Sequence, residues 1–301
     1  MRSAHHIAVC ATVTHGSRTT LPVSSTTASD WLCRHPGCNV IEMEPIKATQ
    51  CKPFLAVICR PAENIIADEL KMYAELGHLD PGIELKPIRA LEAGATLDSI
   101  DLSNYSGVFI SGSEFGYLDP PESKSEAQTI MEEQVTAFAQ RLVAADFPTL
   151  GLCYGMHALA IAGGGTLTSK YSEDIAAPEI TLTPAGKNDH ITKNIPNPFH
   201  AFLGHHDSVG DLPPESEILA ASAACPVQML RIKQNVYSTQ FHPEISNEGM
   251  KIRTAYYSGS YYDSEAREAI EQMRAAADVR GAHQIIAAFT ARYRRHETQR
   301  R

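Results

Sequence analysis

Residues 149–167, TLGLCYGMHALAIAGGGTL, place a single cysteine between two glycines. An apolar run of strand character precedes Cys153, and a helix is expected to begin at Tyr154. Gly151 and Gly155 leave room for the strand and the helix to approach each other closely. A strand that turns abruptly into a helix holds the residue at the turn in a strained conformation, with its side chain above the sheet. The pattern therefore predicts that Cys153 lies at such an elbow.

The flanking sequence predicts an open α/β sheet. Short apolar runs at 54–60, 83–91 and 105–113 have the character of buried strands, as does the run before Cys153. Amphipathic helices are expected over 62–77 and 123–147. This order of strands and helices is typical of a flavodoxin-like, mostly parallel sheet with helices on both faces. In such sheets ligands gather at the carboxyl ends of the strands, where Cys153 falls.

Beyond Gly165 the strands become shorter and the turn signals denser, which favours an antiparallel section that returns to the sheet. Residues 264–295 are rich in Ala, Glu and Arg and contain no Pro, so they predict a closing helix interrupted near Gly281.

The composition excludes several classes of protein. The 301 residues carry a formal net charge of −9, which argues against a general nucleic-acid binder. No apolar run approaches the roughly 20 residues needed to span a bilayer, so no membrane partner is expected. Seven cysteines, an odd number, do not indicate a disulfide-linked secreted scaffold. A reducing, cytoplasmic location fits this composition best.

The first fifty residues differ from the rest, being rich in Ser and Thr and free of acidic residues before Asp30. We predict a flexible N-terminal extension over 1–50 and a single domain over 51–301. A transit peptide is a weaker alternative, because only two arginines precede Asp30. Cys33, His35 and Cys38 are metal-ligand types, but a zinc site would need a fourth ligand, and none is obvious.

Two interpretations of Cys153 remain open from its own pentapeptide. A free cysteine is commonly a buried, inert residue. Alternatively, a thiol at a helix N-terminus is activated by the helix dipole, and backbone N–H groups of the turn can hold an oxyanion. The stretch YSTQFHPEIS at 237–246 favours the second interpretation. It places His242 and Glu244 at spacing i, i+2 near a strand end, where the carboxylate can orient the imidazole and the imidazole can take the thiol proton.

GLCYGMHALA together with STQFHPEIS resembles the class I, triad-type glutamine amidotransferases, which have a flavodoxin-like fold, and the resemblance runs from about Phe54 to Phe289. It implies hydrolysis of the glutamine side-chain amide through a glutamyl thioester. By the same resemblance, Cys153 is the nucleophile, His242 the general base and then acid, and Glu244 the residue that orients it. The backbone N–H groups of Tyr154 and Ser113 would form the oxyanion hole.

Two departures from the family pattern concern the substrate. The family usually has Gln four residues after the cysteine, where this chain has His157. The family's glycine pair and proline in the oxyanion loop appear here as SGSEFG at 111–116, which adds the carboxylate of Glu114. We expect Gly112 and His157 to contact the substrate, which is glutamine or another γ-glutamyl small molecule.

Other residues are assigned no chemistry. His205, His206 and Asp207 lack a standard ligand spacing, so no metal is expected, and no cofactor either. Cys59 and Cys225 are interpreted as structural. The tyrosine-rich run at 256–263 is expected to be an ordered loop or a surface that faces a partner.

Three functions are carried forward. The first is a glutamine amidohydrolase that releases ammonia, either alone or into a separate synthase subunit, since the sequence has no P-loop and no second catalytic domain. The second is a γ-glutamyl hydrolase that uses the same triad on a γ-glutamyl amide or peptide. The third is a catalytically idle regulatory or binding module, favoured by His157 and the altered oxyanion loop.

Overall fold

A computed structural model describes residues 51–92, 96–257 and 264–296. The predicted extension over 1–50 lies outside these ranges, so it stays a prediction. The strands are β1 Phe54–Ile58, β2 Leu85–Arg89, β3 Gly107–Ile110, β4 Thr149–Leu152, β5 Leu167–Thr168, β6 Glu173–Ala176, β7 Glu179–Leu182, β8 Phe199–His200, β9 Leu203–His205, β10 Ser208–Val209, β11 Ser216–Ala221, β12 Met229–Ile232 and β13 Val236–Thr239. The helices are α1 Glu63–Leu76, α2 Glu126–Ala144, α3 Tyr154–Ala162, α4 Pro184–Asn188, α5 Asn247–Tyr257, α6 Ser264–Ala276 and α7 Arg280–Tyr293.

A nine-stranded sheet runs in the order β2-β1-β3-β4-β13-β12-β11-β7-β8. The strands from β2 to β13 pair in parallel, and every pairing from β13 outward to β8 is antiparallel. The open α/β sheet and its later antiparallel section, both predicted from the sequence, are confirmed. The short pairs β5–β10 and β6–β9 form two further small sheets.

Both faces of the sheet are covered, as the alternation along β1 shows. Phe54, Ala56 and Ile58 point into one apolar cluster, which α1 and α7 complete. Leu55 and Val57 point into a second cluster on the other face, formed with α2 and α3. A strand buried on both sides has no polar face, which explains its continuous apolar sequence.

Most predicted helices are confirmed. The closing helix is interrupted near Gly281, as expected, because it divides into α6 and α7 at residues 277–279 and Gly281 lies in the first turn of α7. The run at 256–263 is not simply the expected loop, because Tyr256 and Tyr257 form the last residues of α5. Residues 258–263 of that run lie outside the described residues. Among the residues that the structure describes, no helix has both the length and the apolar character to cross a membrane.

The elbow at Cys153 is present. Cys153 has φ 49° and ψ −98° and stands between β4 and α3, a conformation that non-glycine residues rarely adopt. Cys153 is nevertheless only 6% exposed, less than expected for an elbow, and the Gln240 side chain donates to its sulfur at 3.7 Å. Gly155 permits the close packing, since a Cβ there would lie 2.5 Å from the carbonyl oxygen of Ile110 in β3.

We predict that Gly155→Ala lowers the free energy of unfolding by about 1–3 kcal/mol, because the added methyl group pushes β3 and α3 apart. The measurement is urea-induced unfolding. Gly82→Ala is the matched control, since its Cβ would meet only Asp80 Oδ1 at 3.4 Å, an ordinary contact. A Gly155→Ala protein as stable as the control would contradict the packing described here.

Candidate active site

Three neighbouring strands, β3, β4 and β13, end side by side at the same edge of the sheet. The loop after β3 begins with Ser111, Cys153 follows β4, and the segment with His242 and Glu244 follows β13. The Cys153 N–H donates to the carbonyl oxygen of Thr239 at 2.7 Å, and this hydrogen bond joins the end of β4 to the end of β13. The structure therefore brings together residues that lie far apart in the sequence.

His242 and Glu244 form a buried pair. Nδ1 of His242 lies 2.6 Å from Oε1 of Glu244, and the two residues are 7% and 0% exposed. The backbone of His242 is fixed as well, because its N–H donates to the carbonyl oxygen of Phe202 at 2.8 Å. The imidazole is thus held by its carboxylate partner and by its own main chain.

The electrostatics of this pair follow from burial and charge. Burial alone would lower the pKa of His242, but the Glu244 carboxylate and hydrogen bonds with Cys153 and Glu244 raise it to about 9. Burial opposes ionisation of Glu244, yet the adjacent His242, with help from Arg253, holds the pKa of that carboxyl below its ordinary value. The imidazole is therefore well suited to take and keep a proton from Cys153.

Gln240 connects Cys153 to His157. The Gln240 side chain donates from Nε2 to the Cys153 sulfur at 3.7 Å, and its Oε1 lies 3.1 Å from Nε2 of His157. Burial lowers the pKa of His157 to about 4, although Asp207 opposes this shift, so the imidazole is neutral at pH 7. His157 is only 3% exposed and contacts the residue that touches the thiol. Its direct contact with substrate stays a prediction.

Gly112 lies directly against the imidazole. A Cβ at this position would be 2.6 Å from Cε1 of His242 and 2.5 Å from Nη2 of Arg60, so a larger residue would have to displace these two side chains. The loop is fixed at the next residue, where the Ser113 hydroxyl donates to the carbonyl oxygen of Cys59 at 2.7 Å. The backbone N–H groups of Ser113 and Tyr154 donate to no acceptor within the described residues. Their role as oxyanion donors remains a prediction that this arrangement permits.

A buried ionic network supports the loop, and no sequence motif indicates it. Arg60 donates to Glu69 at 2.7 Å, and Arg253 donates to Asp68 at 2.7 Å and lies 3.4 Å from the same Glu69 oxygen. These four side chains come from the end of β1, from α1 and from α5, so no local pattern joins them. The one sequence signal is in α1, where the acidic residues Asp68 and Glu69 interrupt the apolar face of the helix.

Glu114 stands on the same loop, half-buried. The Tyr257 hydroxyl donates to its carboxylate at 3.3 Å, and Arg60 lies 3.5 Å from the Tyr257 oxygen. Burial raises the pKa of Glu114, while Arg60 and Tyr257 oppose the shift. The carboxylate is therefore an ordered part of the site's border.

The glutamine amidotransferase class-I family model matches residues 72–255. One subunit of a glutamine-hydrolysing GMP synthase from Methanocaldococcus jannaschii is 36% identical over 104 residues, which are 34% of this chain and 54% of that protein. The corresponding GMP synthase subunit from Methanococcus vannielii is 40% identical over 101 residues, 33% of this chain and 52% of that protein. The chain thus spans about half the length of these curated relatives.

Solved structures agree on the fold. A glutamine amidotransferase from Thermotoga maritima superposes with a TM-score of 0.60 at 16% identity, covering 80% of this chain and 98% of that one. A glutamine amidotransferase from Methylobacillus flagellatus gives a TM-score of 0.61 at 18% identity, covering 83% and 98%. The flavodoxin-like fold expected from the sequence is confirmed. The chain belongs to the class-I glutamine amidotransferase family.

The raised pKa of His242 makes a prediction about stability. Because its pKa is higher in the folded protein than the ordinary 6.5, the protonated imidazole stabilises the fold fully below pH 6.5. This contribution is lost as the pH rises through about 9. We expect the stability advantage of the wild type over His242→Asn to fall by about 3 kcal/mol across this range, measured by guanidinium unfolding.

The exposed His206 supplies the control for that experiment. The stability difference between wild type and His206→Asn, measured over the same pH range, gives the baseline for replacing a histidine that lies outside this pair. A difference for His242→Asn that stays constant over this range would show that the imidazole is not held in its charged form by Glu244.

Proposed function

We propose that this protein hydrolyses the side-chain amide of glutamine, or of a closely related γ-glutamyl compound, through a Cys153–His242–Glu244 triad. The observation that carries the proposal is the cysteine at a strained strand-to-helix elbow, beside an imidazole that a buried carboxylate orients at 2.6 Å. Thioester chemistry needs a nucleophile, a base and a group that orients the base, and the three candidates lie together at one edge of the sheet. Family membership supports the same activity.

The mechanism follows from the positions of these groups. His242 holds the proton of the Cys153 thiol, which its raised pKa favours, and the Cys153 sulfur forms a bond to the amide carbon. The N–H groups of Tyr154 and Ser113 receive the developing oxyanion. His242 then gives its proton to the departing nitrogen, and ammonia leaves. Water, activated by the same imidazole, breaks the thioester to release glutamate, while Glu244 holds the ring throughout.

The destination of the ammonia is a separate proposal. The relatives named above are subunits of GMP synthases described as glutamine-hydrolysing. By analogy, we propose that ammonia from this chain is either released or delivered to a separate synthase subunit. We also propose a reducing, cytoplasmic compartment, because the buried residues Cys59, Cys153 and Cys225 in the described part of the chain form no disulfide.

A γ-glutamyl hydrolase is the second candidate, and the position of His157 favours it. The family's usual glutamine is replaced by a ring that contacts Gln240 and is almost fully buried. The usual site binds the amino-acid end of glutamine with that amide. This chain lacks the amide and has the carboxylate of Glu114 nearby, so its proposed site differs at that end of the substrate. The triad chemistry is the same for both candidates.

We predict that Cys153→Ala abolishes amide hydrolysis and leaves the fold intact, because removal of a covalent nucleophile costs several orders of magnitude in rate. Ammonia release is measured with glutamine and, in parallel, with γ-glutamyl peptides. Circular dichroism provides the check on folding. Activity retained in the variant would refute the thioester mechanism.

The pattern of wild-type activity separates the three candidates. Activity on glutamine supports the first, and activity on γ-glutamyl peptides alone supports the second. A wild-type protein that hydrolyses neither, and whose Cys153 does not react with a glutamine-mimicking electrophile, would be the idle binding module.

We predict that His157→Gln lowers the KM for glutamine several-fold and changes kcat less, because the amide restores one hydrogen bond to substrate, worth about 1 kcal/mol. Steady-state kinetics on glutamine measure both constants. If kcat falls while KM is unchanged, His157 acts by holding Gln240 against the thiol and does not touch substrate. If His157→Gln instead loses activity on a γ-glutamyl peptide, the result would favour the γ-glutamyl hydrolase over the glutamine amidohydrolase.

A further inference from the structure

A second cluster of cysteine, histidine and glutamate lies outside the proposed triad. Glu173 begins β6, His205 ends β9, and Cys225 lies in the connection between β11 and β12. One ligand atom from each side chain lies within 4.8 Å of the other two. His205 and Cys225 are buried, and the Glu173 side chain is only 9% exposed. Three groups with ligand chemistry therefore meet in a space nearly closed to solvent.

The hydrogen bonds of His205 leave one ring nitrogen facing the cluster. Nδ1 lies 2.9 Å from the carbonyl oxygen of Asp207, which can only accept, so Nδ1 carries a proton. In the neutral ring, Nε2 then presents a lone pair to Oε2 of Glu173 at 3.1 Å. Two lone pairs at this distance require a proton or a metal ion between them. A histidine anchored through one nitrogen to a carbonyl is the arrangement that metal-binding histidines adopt.

The carboxylate is anchored as well. The side chain of Gln228 donates from Nε2 to Oε2 of Glu173 at 2.6 Å and to the Ser222 hydroxyl at 3.1 Å. Gln228 is fully buried, and its Oε1 has no hydrogen-bond partner in the described residues. An unpaired buried amide oxygen is costly, and here it belongs to a side chain in contact with the cluster.

We propose that Glu173, His205 and Cys225 bind one divalent ion of the zinc class. A mixed set of nitrogen, oxygen and sulfur suits this borderline-soft ion, and three protein ligands leave one position open. Bond lengths of ~2.0–2.3 Å place tetrahedral ligands ~3.3–3.8 Å apart, so small side-chain rotations would bring the three atoms into position. Binding requires the thiolate, so the Cys225 proton passes to solvent as the sulfur–metal bond forms.

The site would brace the segment behind the proposed catalytic base. An ion held by these residues ties β6 and β9 to the β11–β12 connection. Phe202, just before β9, supplies the carbonyl oxygen that accepts from the His242 N–H. The ion would therefore stabilise the backbone that carries His242 without touching the substrate.

Cobalt titration of the full-length protein tests the proposal, in a Cys153→Ala background that removes the thiol of the triad. We expect a thiolate-to-cobalt charge-transfer band that saturates at one equivalent. Cys225→Ser should abolish the band or weaken binding by at least about tenfold. Cys59→Ser, which alters another buried cysteine, should retain it.

The Cys33 and Cys38 pair provides a second control, because these residues could bind the probe themselves. A band that is lost in Cys33→Ser/Cys38→Ser and kept in Cys225→Ser would overturn the proposal. Thermal unfolding gives an independent readout if Cys225→Ser folds poorly. Zinc should raise the Tm of the parent more than that of Glu173→Gln. Equal shifts in the two proteins would refute a site at Glu173 and leave the cluster as a set of hydrogen-bonded side chains.

Discussion

The strained elbow at Cys153 is the constraint on which the proposed site depends. A cysteine at φ 49° is unfavourable by itself, and the surrounding structure must hold it there. Two contacts do so: the Cys153 N–H bonds to Thr239 in β13, and Gly155 lets α3 press onto Ile110 of β3. Because these contacts come from the strands on either side of β4, they also bring the loop after β3 and the residues after β13 to the same sulfur. The geometry of the cysteine and the convergence of the site have one cause.

Charge burial is the second requirement, and it explains the environment of His242 and Glu244. An ionised carboxylate as deeply buried as Glu244 is costly unless partners offset its lost hydration. His242 is its hydrogen-bond partner at 2.6 Å, and Arg253 contributes a further favourable charge. Arg253 is in turn paired with Asp68 and lies near Glu69. Arg253 of α5, held by the acidic side chains of α1, thus assists His242 in keeping the Glu244 carboxylate ionised, although it lies far from Cys153 in sequence.

Local pattern determines the features that could be predicted from the sequence. The strands, α1, α2, the elbow at Cys153 and the pairing of His242 with Glu244 each depend on a short run with its own periodicity or spacing. Gln240 escapes such a prediction, although its position two residues before His242 in extended chain offers a signal. The sequence predicts no metal at His205 because only its neighbours in the sequence, His206 and Asp207, can be considered there. In the fold, His205 lies instead beside Glu173 and Cys225. Contacts between residues distant in sequence follow from the packing of the whole chain, which no local run encodes.

Asp207 connects the proposed metal site to the border of the proposed substrate site. Its carbonyl oxygen anchors His205, and its carboxylate accepts from the Leu118 N–H at 3.1 Å. Leu118 belongs to the same connection after β3 as Gly112, and the charge of Asp207 also acts on His157. Asp207 is itself only 4% exposed, so its position cannot change without disturbing each of these contacts. The three central strands therefore fix the proposed reacting groups, while one buried aspartate ties the connection after β3 to the segment that follows β9.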